Sequence, residues 1–188
     1  MKPLLKQSAN FCFLLAVFPL ALLSAFGRIS SLYLFGAQCV ALVPGLPGDY
    51  LRTAFYRLTL QAFHPSSRIS FGSFFAHPNA RVAESVYIGS FSVLGMTSIG
   101  ARCQIASGVQ ILSGARQHPR DSQGRILSSH ESSFSLIEIG PDCWIGAAAV
   151  IMAPIGAGST IGAGAVVTKP IPPASIAVGV PAKVIASA

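Results

Sequence analysis

Charge is what this sequence has least of. Its 188 residues include 6 Asp plus Glu and 13 Lys plus Arg, so 10% of the chain is charged while 52% is hydrophobic. A soluble domain ordinarily carries about 25% charged residues, and mean hydropathy here is +0.60. Part of the chain is therefore expected to meet lipid or a large subunit interface. The net charge of +7 comes from scattered cations, with no basic run and no aromatic interleaving. That argues against nucleic acid as a partner and leaves anionic lipid and phosphate groups. Cysteine is sparse too: Cys12, Cys39, Cys103 and Cys143 contain no Cys-x-x-Cys pair, which points to free thiols in a reducing compartment. His64, His77, His118 and His130 are none of them close-spaced, so no metal site is expected. The length accommodates one domain plus an appendage.

An uninterrupted membrane span is also missing, although apolar sequence is not. After a short basic start with Lys2 and Lys6, residues 11–27 are almost wholly apolar, Arg28 interrupts, and residues 29–44 are apolar again. Each run is slightly shorter than the roughly 20 residues a spanning helix prefers, and Pro19 would kink the first. Three arrangements fit: a signal peptide, with a poor cut site; one span followed by an interfacial segment; or a tight hairpin or helix pair lying in one leaflet. In the last two, Lys2, Lys6, Arg52 and Arg57 favour a membrane-associated chain whose remaining part faces the cytoplasm. Pro44 to Gly48 reads as a turn, and Asp49 as the cap of an amphipathic helix over 50–60. Leu51, Phe55 and Leu58 form that helix's stripe, with Arg52 and Arg57 off it. The helix suits a membrane interface or the covering of an open sheet end. Residues 1–65 thus form the helical, membrane-associated segment.

What the chain has in abundance is a period of six. From residue 139 it reads IGPDCW, IGAAAV, IMAP, IGAGST, IGAGAV. Aliphatic heads stand at Ile139, Ile145, Ile151, Ile155, Ile161 and Val167, usually followed by Gly, with a small residue at position five (Cys143, Ala149, Ser159, Ala165). The period recurs from Val82 to Leu112, headed by Val82, Ile88, Leu94, Ile99, Ile105 and Ile111. This is neither a helix nor a simple strand period; it is that of a parallel β-solenoid. The aliphatic residue fills the axis. The glycine is expected to supply both a positive φ and a close backbone approach at each corner. About a dozen hexads at three per turn make about four coils. Residues 63–81 read as an irregular lead-in. The period lapses over 113–138, the most polar part of the chain, and a long excursion from a rigid scaffold is usually functional. Residues 169–188 close the domain, with a strand beside the last coil.

These hexads, with Trp-Ile-Gly at 144–146, Gly-Ala-Gly-Ala-Val-Val-Thr-Lys at 162–169 and Gly-Val-Pro-Ala-Lys at 179–183, resemble the hexapeptide-repeat acyltransferases, which include maltose, galactoside, serine and xenobiotic acetyltransferases. The Met-Ala-Pro-Ile-Gly run at 152–156 is most similar to the xenobiotic branch. The resemblance spans about residues 66–185. It implies an all-β domain over 66–188 built as a left-handed parallel β-helix, a homotrimer, and acetyl-CoA as co-substrate.

Acyl transfer to a hydroxyl needs a base, and histidine serves near neutral pH. The resembled family places one early in the loop between its two blocks of hexads. His118 stands there, in Ser-Gly-Ala-Arg-Gln-His, and is the expected catalytic residue, with His130 its competitor. Asp121, Glu131 and Glu138 are the carboxylates that could orient it. The resemblance further points to Ala147, Ala163, Thr168, Lys169 and Lys183 for the cofactor. Ala147 and Ala163 would admit the pantetheine arm, the lysines would meet the phosphates, and the Ala147 N–H could serve the oxyanion. Ala186 stands where galactoside-type relatives carry a further basic residue. The expected function is O-acetylation of a sugar hydroxyl on a lipid-linked glycan or surface-polysaccharide precursor. A small soluble acceptor, a zinc-dependent carbonic anhydrase and a non-catalytic scaffold are the alternatives.

Overall fold

A computed structural model describes residues 2–114, 117–128 and 133–187, with side chains from residue 11 onward. The solenoid begins earlier than the aliphatic period suggests. Strands β1 (Ala62–Phe63), β2 (Arg68–Ile69) and β3 (Phe74–Phe75) already form a full coil, where an irregular lead-in was expected. Its heads are Phe63, Ile69 and Phe75, and its position-five residues are Ser67 and Ser73; two aromatic heads are not an aliphatic pattern. The Ser67 and Ser73 hydroxyls donate to the carbonyls of Ala83 and Gly89 on the next coil at 2.6 Å, so the buried polar groups are satisfied.

The later coils follow the hexads: β4 (Arg81–Val82), β5 (Tyr87–Ile88), β6 (Val93–Leu94), β7 (Thr97–Ile99), β8 (Gln104–Ile105), β9 (Gln110–Ile111), β10 (Ile137–Ile139), β11 (Trp144–Ile145), β12 (Val150–Ile151), β13 (Thr160–Ile161), β14 (Val166–Val167) and β15 (Ser175–Val178). They stack in three parallel sheets. Face A carries β1-β4-β7-β10 and continues through the bridges Ile139–Ile155–Ile171; face B carries β2-β5-β8-β11-β13-β15; face C carries β3-β6-β9-β12-β14. The architecture is a left-handed parallel β-helix. Each two-residue strand points one side chain out and one in, and the inward ladders make one core, with Ile69, Ile88, Ile105, Ile145 and Ile161 on face B alone.

The glycines after the heads do half of what was expected. At Gly89, Gly100, Gly140, Gly146 and Gly156 a Cβ would lie 2.3–2.5 Å from a backbone nitrogen of the next coil, so close approach is real. The positive φ sits two residues later, at Gly72, Gly108, Gly158 and Gly164, and equally at Ser85, Phe91, Arg102, Asp142, Ala148 and Ala174. Strand β16 (Lys183–Ser187) adds antiparallel to β15 and closes face B.

At the other end, α1 (Lys2–Leu23), α2 (Ser30–Ala41) and α3 (Gly45–Thr59) cover the first coil. Among the described residues no helix is long and apolar enough to cross a membrane. Helix α3 starts at Gly45 behind Pro44, which leaves Asp49 inside it and not at its cap. Phe55 and Tyr56 pack edge to face at 5.5 Å, and Tyr56 meets Phe75 of the first coil at 5.2 Å. Arg52, expected on a solvent or lipid face, is fully buried. Its guanidinium donates to the carbonyls of Ile69, Val40, Ala41 and Val43 at 2.7–3.3 Å. Helix α3 is thus a plug for the open end of the solenoid.

Candidate active site

The coil runs A to B to C, and each edge between faces collects equivalent residues from successive turns. The excursion after β9 leaves the C-to-A edge and returns at β10. Its two arms are joined by an antiparallel bridge between Arg120 and Ile126. Leu127 N–H donates to the Pro119 carbonyl at 2.8 Å, and Ser135 N–H to the Ser113 carbonyl at 2.9 Å. The tip is a turn held by Asp121, whose Oδ1 accepts the N–H groups of Gln123 and Arg125. Asp121 is therefore committed to its own turn and does not orient a histidine.

His118 lies on the outgoing arm, exposed. Its Nδ1 is 3.2 Å from the carbonyl oxygen of Leu127. A carbonyl can only accept, so Nδ1 carries the proton and Nε2 is left as the basic nitrogen. Among the described residues the group on Nδ1 is thus a backbone carbonyl, and neither Asp121 nor Glu138. Glu138 sits on the outer side of face A, lining a separate groove with Ser98 and Pro154. His130 and Glu131 lie outside the described residues. A cavity of about 440 Å³ adjoins His118, lined by Leu112, Gly114, Gln117, Arg120, Ile126 and Met152. Arg120 and Ile126 carried no signal in the sequence; the cross-arm pairing brings them together.

The sequence-predicted cofactor residues fall into two columns. Thr168 and Lys169 follow β14 on the same C-to-A edge as His118, two coils further along, or about 10 Å. Both are exposed. Ala147 and Ala163 occupy the B-to-C edge, stacked on each other: Gly164 N–H donates to the Ala147 carbonyl at 2.8 Å. Lys183, exposed, continues that column, since it pairs with Val178 at the end of β15. A single chain therefore brings Ala147, Ala163 and Lys183 together, and His118, Thr168 and Lys169 together, but separates the two groups by the width of face C. Trp144, just before the Ala147 corner, is exposed on face B.

Cys103 and Cys143 stack in adjacent coils, as their shared hexad position implies, and are buried. Contact between the two sulfurs, reinforced by burial, pushes the Cys103 thiol far up, so it stays protonated and structural. Among the described residues no group of three His, Cys, Asp or Glu could hold a metal ion.

The family described as "Hexapeptide repeat of succinyl-transferase" matches residues 137–169. No curated protein matches the sequence. Solved structures do share the fold. A maltose O-acetyltransferase from Clostridium difficile 630 is 26% identical, with 88% of this chain and 88% of that one covered at a TM-score of 0.69. A hexapeptide-repeat-containing acetyltransferase from Vibrio cholerae is 20% identical over 88% of this chain and 92% of that one, TM-score 0.63. A variant of an N-acyltransferase from Bacillus cereus, solved with dTDP-4-amino-4,6-dideoxyglucose and coenzyme A, is 17% identical over 68% of this chain and 84% of that one, TM-score 0.53.

Proposed function

We propose that the chain is an acetyl-CoA-dependent O-acetyltransferase that acts on a sugar hydroxyl, with His118 as general base. The observation that carries this reading is the His118–Leu127 hydrogen bond: it leaves Nε2 basic beside a cavity large enough for a sugar. The likeness to an O-acetyltransferase of maltose supports a sugar hydroxyl as acceptor, and the coenzyme A found in the third structure supports an acyl-CoA donor.

In the reaction, His118 Nε2 removes the proton of the acceptor hydroxyl as its oxygen attacks the thioester carbonyl. The negative charge passes to the carbonyl oxygen, for which a preorganised N–H is needed; Ala147, at an exposed corner, is our candidate. Collapse of the tetrahedral intermediate forms the ester, breaks the C–S bond and sends the His118 proton to the departing CoA sulfur. Lys169 and Lys183 bind the nucleotide phosphates.

The two separated columns favour a homotrimer. Packed in parallel, three solenoids set the C-to-A edge of one copy beside the B-to-C edge of the next, which completes the site, and a three-fold ring closes without a free contact. Lipid-linked glycans or surface-polysaccharide precursors are the acceptor class, handled on the cytoplasmic side where acetyl-CoA is made available. Transfer of radiolabelled acetyl from acetyl-CoA, counted separately in lipid-extractable and water-soluble fractions, tests this. Label in the lipid fraction that depends on His118 is expected; label in neither, with a folded protein and its acceptor extract present, would overturn it.

A further inference from the structure

The side of α1 turned away from the protein has no polar group between residues 11 and 23. Phe11, Cys12, Leu15, Ala16, Phe18, Pro19, Leu22 and Leu23 are all exposed there, Phe11 by 61%, Leu15 by 58% and Leu22 by 57%. The opposite side is used: Val17 and Ala21 are buried, and Phe13 stacks on Tyr50 of α3 at 5.2 Å. Phe26 in the α1–α2 turn packs edge to face on Phe18 at 5.9 Å and extends the bare surface, and Ile29 in the same turn is exposed too. A continuous apolar patch of this kind on a soluble protein marks an interaction face.

Charge decides what covers it. The first 48 residues contain Lys2, Lys6 and Arg28 and no Asp or Glu. A second copy seated here would bring like charges together with nothing to neutralise them. An anionic lipid surface supplies both an apolar bed and the opposite charge.

The patch also lies on the catalytic edge. Gly27 in the α1–α2 turn packs so tightly on the first C-to-A corner that a Cβ there would be 3.1 Å from Pro78 Cβ. The neighbouring His77 ring meets Phe134 of the excursion at 4.7 Å, and Ser133 Oγ donates to the carbonyl of Gln117, next to His118, at 2.9 Å. From the first corner to the coil that bears the excursion is two steps, about 10 Å.

We propose that the bare side of α1 and its following turn bed into an anionic lipid leaflet without crossing it, and hold the His118 cavity within a few sugar units of the lipid surface. The second half rests on the acetyl-transfer reading and names its acceptor as a hydroxyl close to the lipid anchor of a glycolipid.

Flotation of the full chain with vesicles tests the first half without any acetyl-CoA. The chain should float with phosphatidylcholine–phosphatidylglycerol vesicles and much less with phosphatidylcholine alone. Leu15→Glu with Leu22→Glu should lower partition at least tenfold at an unchanged melting temperature, because both side chains face outward. Lys2→Gln, Lys6→Gln and Arg28→Gln should each cost about fivefold on the anionic vesicles only. His118→Ala should float like the parent whatever its activity, so failure of the acetyl-transfer reading would leave this result standing. Equal flotation on both vesicles, or flotation untouched by the Glu pair, would overturn the proposal. A Glu pair that changes the oligomer mass and not flotation would make the face a contact between copies.

Discussion

Arg52 and Asp49 form an ion pair at 2.6 Å in which the arginine has no solvent exposure and the aspartate keeps 22%. The same carboxylate reaches Arg68 on β2 through its other oxygen at 2.7 Å. One acid therefore links the buried cation of the plug to an exposed cation of the first coil, while four carbonyls take the rest of the guanidinium. Arg52→Met would take the guanidinium from all four carbonyls, leaving Ala41 and Val40 only the N–H groups of Gly72 and Val43, and a loss of about 3–5 kcal/mol in denaturant unfolding is expected. Asp49→Asn should cost less, since it keeps an acceptor and retains access to water.

The two kinds of corner glycine should respond differently to the same change. Gly146→Ala sets a Cβ 2.4 Å from the Ala163 nitrogen, a backbone clash expected to cost about 3 kcal/mol or more. Gly164, at φ +67 with open space around it, has only a left-handed conformation to lose, as Ala148 already shows at φ 56. Gly164→Ala should cost about 1 kcal/mol. Paired thermal melts give the order directly.

His118→Ala should lower kcat by about 10²- to 10⁴-fold while acetyl-CoA binding, measured by calorimetry, survives. The fold should persist, because the axis is packed by residues such as Ile139, Ile145 and Ile161. His130→Ala should stay within a few-fold of the parent. Full activity in His118→Ala would remove the proposed mechanism.

Lys169→Ala and Lys183→Ala should raise the KM for acetyl-CoA more than they lower kcat, because phosphate contacts bind ground and transition states alike. Added salt should reproduce the shift in the parent. Because both lysines are assigned to the phosphates of one nucleotide, the double variant should depart from additivity in steady-state kinetics.

Arg102 holds the Asp142 carboxyl below its ordinary range through two hydrogen bonds of 2.6 Å. A depressed folded-state value means the contribution is fully present above the unfolded carboxyl pKa, about 3.9, and is lost as pH falls through the folded one. Carboxyl-carbon NMR should find Asp142 titrating below a free aspartate, and Arg102→Ala should move it back up.

The core ladders were legible because each coil repeats one geometric demand, an aliphatic group on the axis, and Ile139 to Val167 state it almost without variation. The first coil was hidden because Phe63 and Phe75 meet the same demand with another shape. Arg52 was misassigned for a different reason: apart from Asp49, its partners are main-chain carbonyls contributed by the end of α2, Val43 and Ile69, and a carbonyl has no letter. The same holds for His118, whose Nδ1 meets the carbonyl of Leu127. The sequence offers candidate site residues, but their division between two edges is not legible in it, because it depends on where the faces turn.

A stack of identical coils has no intrinsic length. Each open end presents a row of strand edges able to accept another turn from any neighbouring molecule. The helical plug at one end, and at the other the antiparallel β16, whose direction breaks the parallel register, convert what would be a growing fibre into an object of fixed size. When the plug loosens, the expected failure is end-to-end elongation into rods, and the concentration at which rods appear measures how firmly the plug is seated.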